Sequence, residues 1–264
     1  MSTLADALGK AKAEGRAALV GYLPVGYPSV DLSIDAMLAM VAGGCDVIEV
    51  GVPYSDPVID GPTIQAAAEP AVRAGVGITE VLRAVRAVAD SGAAAVVMSY
   101  WNPIDRYGVA RFAADLAAAG GAGVITPDLI PDEATDWIAA SDEHGLDRVF
   151  LVAPSSTDAR IVSTTAASRG FVYAAAVMGV TGARESVGSA ARDLVERVRS
   201  LAPDINVCVG LGVSNGAQAA EIGAFADGVI VGSAFVRRML DSPDAGGVKA
   251  VGEFAAELRS GLTR

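Results

Sequence analysis

Aromatic residues make up only 5% of the 264 residues, histidine occurs once and cysteine twice. So few imidazoles and thiols leave little from which to build a zinc site. Cys45 and Cys208 each sit beside a predicted strand and read as buried thiols of a cytosolic protein. Basic residues are also scarce: 20 Lys and Arg stand against 31 Asp and Glu, a formal charge of −11. That balance excludes nucleic-acid binding, whose affinity comes from neutralised phosphates. A small phosphorylated ligand stays possible, because backbone N–H groups can hold it. No run reaches the roughly 18 continuous apolar residues of a membrane span. Asp6, Lys10, Lys12 and Glu14 break up residues 1–16, which have no signal-peptide core, so a cytoplasmic chain is expected. What is abundant is small and apolar. The hydrophobic fraction is 52% with 30 glycines, which suits close helix packing around a sizeable core.

Apolar periodicity alternates along the chain. Short β-branched runs at 17–23, 47–52, 94–99, 123–126, 148–152, 171–174, 206–209 and 228–231 read as eight strands. Helical patterns lie between them, at 31–42, 63–74, 79–89, 111–119, 133–143, 158–167, 190–201 and 216–225, with a further helix from Ser233. A leading helix at 4–14 and a final one at 248–259 flank the series. On the helix at 190–201, Asp193 and Arg197 are spaced as an i,i+4 pair. Strands that alternate with helices run parallel and need crossover connections. Eight such units in about 250 residues is the count of a (β/α)8 barrel. A doubly wound open sheet is the competitor, but Tyr22-Leu23-Pro24-Val25-Gly26 follows the first strand in place of a dinucleotide fingerprint. No linker interrupts residues 1–264, so a single barrel domain with an extra N-terminal helix is expected.

The stretch richest in chemistry is Asp46-Val47-Ile48-Glu49-Val50-Gly51-Val52-Pro53-Tyr54-Ser55-Asp56-Pro57-Val58-Ile59-Asp60-Gly61-Pro62. Glu49 lies inside an apolar strand, where an unpaired carboxylate is expensive. It is either a structural acid paired with a buried arginine or a general acid–base at the barrel mouth, its pKa lifted by burial. Asp60 precedes Gly61-Pro62, so it reads either as the cap of the next helix or as a second functional acid. Asp56 is expected to order its own loop with Ser55 and Pro57. Other polar residues fall at strand ends, where such barrels place their sites: Tyr22, Tyr100, Asn102, Asp128 and Tyr173. A glycine-rich group follows the last strands, with Gly210 and Gly212 after the seventh and Gly232-Ser233 after the eighth; Thr181-Gly182 follows the sixth. These loops are the common phosphate site of the fold, although Ser233 alone also suits a plain N-cap. His144, before Gly145, reads as a surface or capping residue, and Trp101 and Trp137 as packing or interface residues.

The run from Glu49 to Pro62 resembles the signature of the tryptophan synthase alpha subunit family. So do Gly21-Tyr22-Leu23-Pro24-Val25-Gly26-Tyr27-Pro28, Thr126-Pro127-Asp128-Leu129-Ile130-Pro131, Leu151-Val152-Ala153-Pro154-Ser155-Ser156-Thr157, Gly179-Val180-Thr181-Gly182 and Gly210-Leu211-Gly212-Val213-Ser214. The resemblance implies a lyase of tryptophan biosynthesis that cleaves indole-3-glycerol phosphate by a retro-aldol step without metal or cofactor. It implies Glu49 as general acid–base and Asp60 as the group that holds the indole N–H. Tyr22, Met98, Tyr100 and Ile125 then form the indole pocket, and Tyr173 lies by the glycerol chain. Gly182, Gly210, Gly212, Gly232 and Ser233 grip the phosphate, and Thr181 belongs to a loop that closes over the site. A beta subunit carrying pyridoxal phosphate is the implied partner, in an αββα assembly. Asp56, Pro57, Asn102 and Pro103 are the implied contact and signalling residues. Two departures stand out: Val58-Ile59 where the family usually has Leu-Ala, and Ala174-Ala175-Ala176-Val177-Met178 in place of a more polar run. Two other readings keep the fold but change the role: a regulatory subunit that senses its ligand for a pyridoxal phosphate enzyme, or a phosphate-binding barrel isomerase.

Overall fold

The computed structural model describes residues 3–175, 184–210 and 212–263, with backbone alone for 184–188. Thr181 and Gly182, named above as site residues, lie outside the described residues, as do Leu211 and 176–178.

The chain opens with α1 (Leu4–Ala13), β1 (Ala18–Pro24), α2 (Val30–Ala42), β2 (Val47–Gly51), α3 (Pro62–Arg73), α4 (Ile78–Asp90) and β3 (Ala94–Met98). Then come α5 (Trp101–Tyr107), α6 (Val109–Ala118), β4 (Gly123–Ile125), a 3-10 turn (Pro131–Glu133), α7 (Thr135–His144), β5 (Asp147–Val149) and β6 (Leu151–Val152). The rest is α8 (Asp158–Ala167), β7 (Phe171–Ala175), α9 (Arg184–Leu201), β8 (Asn206–Gly210), α10 (Gly216–Gly223), β9 (Gly228–Val231), α11 (Ser233–Asp241) and α12 (Ala245–Leu262).

All nine strand segments pair in parallel in one sheet, in the order β5-β4-β3-β2-β1-β9-β8-β7-β6. The two ends of that order, β5 and β6, are halves of one predicted strand, broken at Phe150. The carbonyls of Arg148 and Phe150 accept from the N–H groups of Arg169 (2.8 Å) and Tyr173 (3.0 Å), so the sheet closes on itself. The result is the expected (β/α)8 barrel, its fifth stave in two pieces.

Alternation along each strand separates two cores. One face of each strand packs against the helices; Leu19, Ile48, Val50, Val97, Val172, Val209 and Val231 lie there. The other fills the barrel with Ala18, Val20, Val47, Val96, Ile125, Val149, Phe171, Cys208 and Ile230. Leu4, Ala7, Leu8 and Ala11 of α1 join that inner cluster, so the extra helix plugs the end where the strands begin. The Leu4 N–H bonds the Asp147 carboxylate there at 3.2 Å.

Four local expectations needed correction. The stretch after β3 forms a helix of its own, α5, because Tyr100 serves as its N-cap and Asp128, from the loop after β4, accepts the Trp101 N–H at 2.9 Å. Helix α9 begins at Arg184, six residues earlier than the 190 expected, since Gly188 is carried inside it and breaks nothing. Arg197 does not pair with Asp193. It reaches the Asp158 carboxylate at 2.8 Å and the Ser156 carbonyl at 2.6 Å, tying α9 to the start of α8. The final helix starts at Ala245, capped by Asp244. Cys45 and Cys208 are both buried free thiols, Trp137 is fully buried, and His144 closes α7 before Gly145 in the left-handed conformation.

Candidate active site

At the end where the strands finish, a cavity of about 550 Å³ opens between the barrel and the loops. That size suits a drug-sized or metabolite-sized ligand. The barrel interior supplies its floor: Tyr22 from β1, Glu49 from β2, Met98 from β3, Tyr173 from β7, Gly210 from β8 and Ile230 from β9. Two helix starts supply the rim: Ile59, Asp60, Gly61, Pro62, Thr63 and Ile64 lead into α3, and Gly232 and Ser233 open α11. The Arg237 guanidinium of α11 donates to the Thr63 hydroxyl at 2.8 Å and holds the two starts together.

Glu49 lies in register with Tyr22 on one side and Val96 on the other. It is 2% exposed, and its Oε1 has no hydrogen-bond partner. The buried arginines are engaged elsewhere, Arg16 by Asp46 and Arg148 by Asp142. The reading of Glu49 as half of a buried ion pair therefore fails. With no cation paired to it among the described residues, burial pushes its pKa up to about 8, so the side chain is protonated at neutral pH and can give a proton away.

Asp60 is not a helix cap. Gly61 takes the N-cap position of α3 without any side-chain bond. The Gln65 amide bonds the Asp60 backbone carbonyl at 2.7 Å, and Asp60 borders the cavity. Burial raises its pKa, and the Tyr100 hydroxyl partly lowers it again. The two acids converge on one aromatic ring: burial first, then Asp60 and Glu49, hold the Tyr22 phenol well above its usual pKa. Glu49 does the same, after burial, to Tyr173.

The glycines have two distinct jobs. A Cβ on Gly51 would lie 2.6 Å from the Tyr22 ring, and one on Gly210 would lie 2.3 Å from the Tyr173 hydroxyl. Those two glycines make room for the tyrosines. Gly212 has φ +66°, a conformation L side chains rarely adopt, with open space around its Cβ position. Gly232 is the N-cap of α11, with Ser233 as its first residue and no side-chain cap. Both residues border the cavity, so the N-terminal end of α11, which favours an anion, opens onto it.

Tyr100 and Ile125 do not border the cavity: Ile125 is fully buried in the barrel interior, and Tyr100 stands behind the Asp60 loop. Asp56 and Asn102 are exposed, with Pro57 and Pro103 half-buried beside them; Ser55 bonds the Asp56 carboxylate at 2.5 Å, as its spacing suggested. Asn102 of α5 donates to the Tyr54 hydroxyl at 3.3 Å, so the loop after β2 touches α5. Asp128 has a structural job as acceptor for α5. Ile59, Thr63, Ile64 and Ile230 border the cavity without having been picked out. Only for Ile230 was there a signal, its inward phase with Gly228 and Gly232 on β9. Among the described residues no three His, Cys, Asp or Glu side chains come together as metal ligands.

A family model, Tryptophan synthase alpha chain, matches residues 8–260. The chain is 64% identical to the tryptophan synthase alpha chain of Thermobifida fusca, over 99% of this chain and 98% of that one. It is 61% identical to that of Mycobacteroides abscessus, over 99% and 97%. Among solved structures, it superposes on Mycobacterium tuberculosis tryptophan synthase with a TM-score of 0.92 at 56% identity, over 100% of this chain and 99% of the other. A protein from Aquifex aeolicus superposes with a TM-score of 0.90 at 36% identity, over the whole of both chains.

Proposed function

The chain belongs to the tryptophan synthase alpha chain family, a lyase that cleaves indole-3-glycerol phosphate, and from that premise we propose that Glu49 and Asp60 carry the reaction. The observation that bears the proposal is a buried Glu49 with one oxygen unpaired on the floor of the cavity and Asp60 on its rim. Cleavage needs a proton on indole C3, the carbon that leaves. Glu49, with a pKa of about 8, supplies it. The indole nitrogen then shares the positive charge, and the Asp60 carboxylate accepts its N–H and offsets that charge. As the C3–C1 bond breaks, its electron pair returns to the indole ring. The glycerol C1 hydroxyl loses its proton to the Glu49 carboxylate and becomes the aldehyde of glyceraldehyde 3-phosphate. One proton is given and one is taken, so the enzyme ends as it began.

Tyr22, Met98 and Tyr173 shape the aromatic end of the cavity, with Ile125 beneath. Gly212 after β8, with Gly232 and Ser233 at the α11 start, offers the phosphate backbone N–H groups; no Lys or Arg borders the described cavity, so the grip is by peptide dipoles. The chemistry is proton transfer and needs no cofactor in this chain. The 264 residues act as one barrel domain. An alpha chain implies a beta-subunit partner. We place that partner, with pyridoxal phosphate and in an αββα assembly, against the loops of Asp56, Pro57, Asn102 and Pro103, in the cytoplasm. Among the described residues no helix is long and apolar enough to cross a membrane.

The test is indole release by wild type, Glu49→Gln and Asp60→Asn, each with and without beta subunit. Loss of about 10²-fold or more in both folded variants is expected. A fully active Glu49→Gln would overturn the assignment.

A further inference from the structure

The hydroxyl of Tyr100 stands behind the loop that carries Asp60. Its oxygen accepts the N–H of Val58 at 3.1 Å and of Ile59 at 3.0 Å. A phenol oxygen accepts through two lone pairs and donates one hydrogen. The two amides fill the lone pairs. The single hydrogen is left for an acceptor, and the next residue along the loop is Asp60, whose pKa the Tyr100 hydroxyl lowers against the rise caused by burial.

The ring is fixed from elsewhere. It lies 5.1 Å from the Tyr54 ring, tilted by 31°. Its backbone caps α5, whose first N–H is held by Asp128. The loop is not so fixed. Val58 and Ile59 are 75% and 55% exposed, so side-chain packing does little to hold their backbone. On the far side Gln65 holds only the Asp60 carbonyl.

We propose that Tyr100 is the positioning residue for Asp60, holding the two preceding amides on one oxygen and aiming its hydrogen at the carboxylate. The proposal rests on the reading of Asp60 as the charge-stabilising acid. In consequence the Asp60 carboxylate meets the indole N–H aligned, and the hydroxyl works against the rise in pKa that burial causes. Facing Asp60, the other titratable groups are Tyr22 from β1 and, across the cavity floor, Glu49 from β2 and Tyr173 from β7. Arg237 of α11, on the same rim, is engaged by Thr63.

The experiment is Tyr100→Phe in the complex with beta subunit, followed as indole-3-glycerol phosphate consumption across pH. Phenylalanine keeps the ring against Tyr54 and removes only the hydroxyl. The expected result is a kcat about tenfold to a hundredfold lower with KM within about threefold. The sign of the pH effect is set: removing a donor to the ionised carboxylate raises the Asp60 pKa, so the acid limb of the kcat profile moves up by about half to one pH unit. The alkaline limb, from Glu49, stays in place. A wild-type kcat and acid limb would overturn the proposal, and so would a uniform fall with both limbs unmoved, because a merely structural loss scales the whole curve. Asp60→Asn in parallel separates the two readings. If it keeps full activity, the role of Asp60 itself fails; if it is inactive while Tyr100→Phe is unchanged, only the positioning role fails. Should Tyr100→Phe not fold, 3-fluorotyrosine at position 100 retains the bond with a stronger donor. The acid limb then moves to lower pH, and an unmoved limb would overturn the proposal.

Discussion

Asp46 and Glu49 are three residues apart on one stretch of chain, and they meet opposite environments. Asp46 lies just before β2, at the end of the barrel plugged by α1. Arg16 clamps it with two bonds of 2.6 and 2.7 Å, and the Leu19 N–H adds a third at 2.8 Å. Arg16 is in turn held by Glu14 at 2.8 Å, and Glu14 by Arg259 at 2.9 Å. Glu49 sits three residues further along, within β2, and among the described residues it has no ion pair and one oxygen without a partner. At the end where the strands begin, charges are neutralised in chains. At the end where they finish, a buried acid is left wanting a proton. The difference separates stability from chemistry within one strand, as the fold does generally.

The sharpest way to break the comparison is Glu49→Gln. It should cost activity about 10² to 10⁴-fold while leaving the fold in place. Its stability signature is also distinct. Folding raises the Glu49 pKa from 4.5 to about 8, so the native state holds a proton that the unfolded chain releases. Stability therefore falls as pH rises between those values, by roughly 3–5 kcal/mol from this residue. In Glu49→Gln that loss should vanish, which urea unfolding at pH 5 and pH 9 would measure.

Arg16→Met is the complementary change. It strips Asp46 of its clamp inside a mostly buried cluster and should destabilise by about 3 kcal/mol. The melting temperature should drop by roughly 6–12 °C, with kcat of the folded fraction unchanged. A lowered kcat would show that the two ends are coupled.

Gly210→Ala tests the cavity floor. The added methyl would lie 2.3 Å from the Tyr173 hydroxyl, so the ring must move. Roughly a tenfold loss in kcat/KM is expected, with about 1–3 kcal/mol of overpacking. The smallest effect belongs to Arg83→Ala, which removes a solvent-exposed pair with Asp31 on the outer surface. A change within about 0.5 kcal/mol, and none in activity, is expected in thermal melts and indole assays.

Much of the barrel was legible before any coordinates. Short β-branched runs alternating with amphipathic helices leave few topologies, and α8 at Asp158–Ala167 fell on the span its pattern suggested. Helix α5 was missed because its first N–H is satisfied by Asp128, from the loop after the next strand, which no local rule can see. Strand five was read as continuous because its break at Phe150 is a consequence of closing a ring. Arg197 was given the acid four residues back on its helix, but Asp158, 39 residues away, offered it a place beside a carbonyl as well. Among the site residues, Glu49 announced itself as a charge in an apolar run. Tyr100 did not disclose its position, since a tyrosine after a strand can as easily line a cavity as stand behind a loop.

The amino-acid order alone determined the period of each segment, and from that the number of staves, their parallel sense and the end at which acids and glycines collect. These are properties of neighbours, set by propensity and by the spacing of apolar side chains. Only the tertiary structure decided which carboxylate was matched by a guanidinium and which was left bare, which glycine yields space to a ring, and where the Tyr100 hydroxyl points. Those outcomes depend on contacts between residues about 30 or more positions apart, such as Arg16 with Asp46 and Tyr100 with Ile59. A buried charge is costly or useful according to what the fold brings within about 3 Å of it.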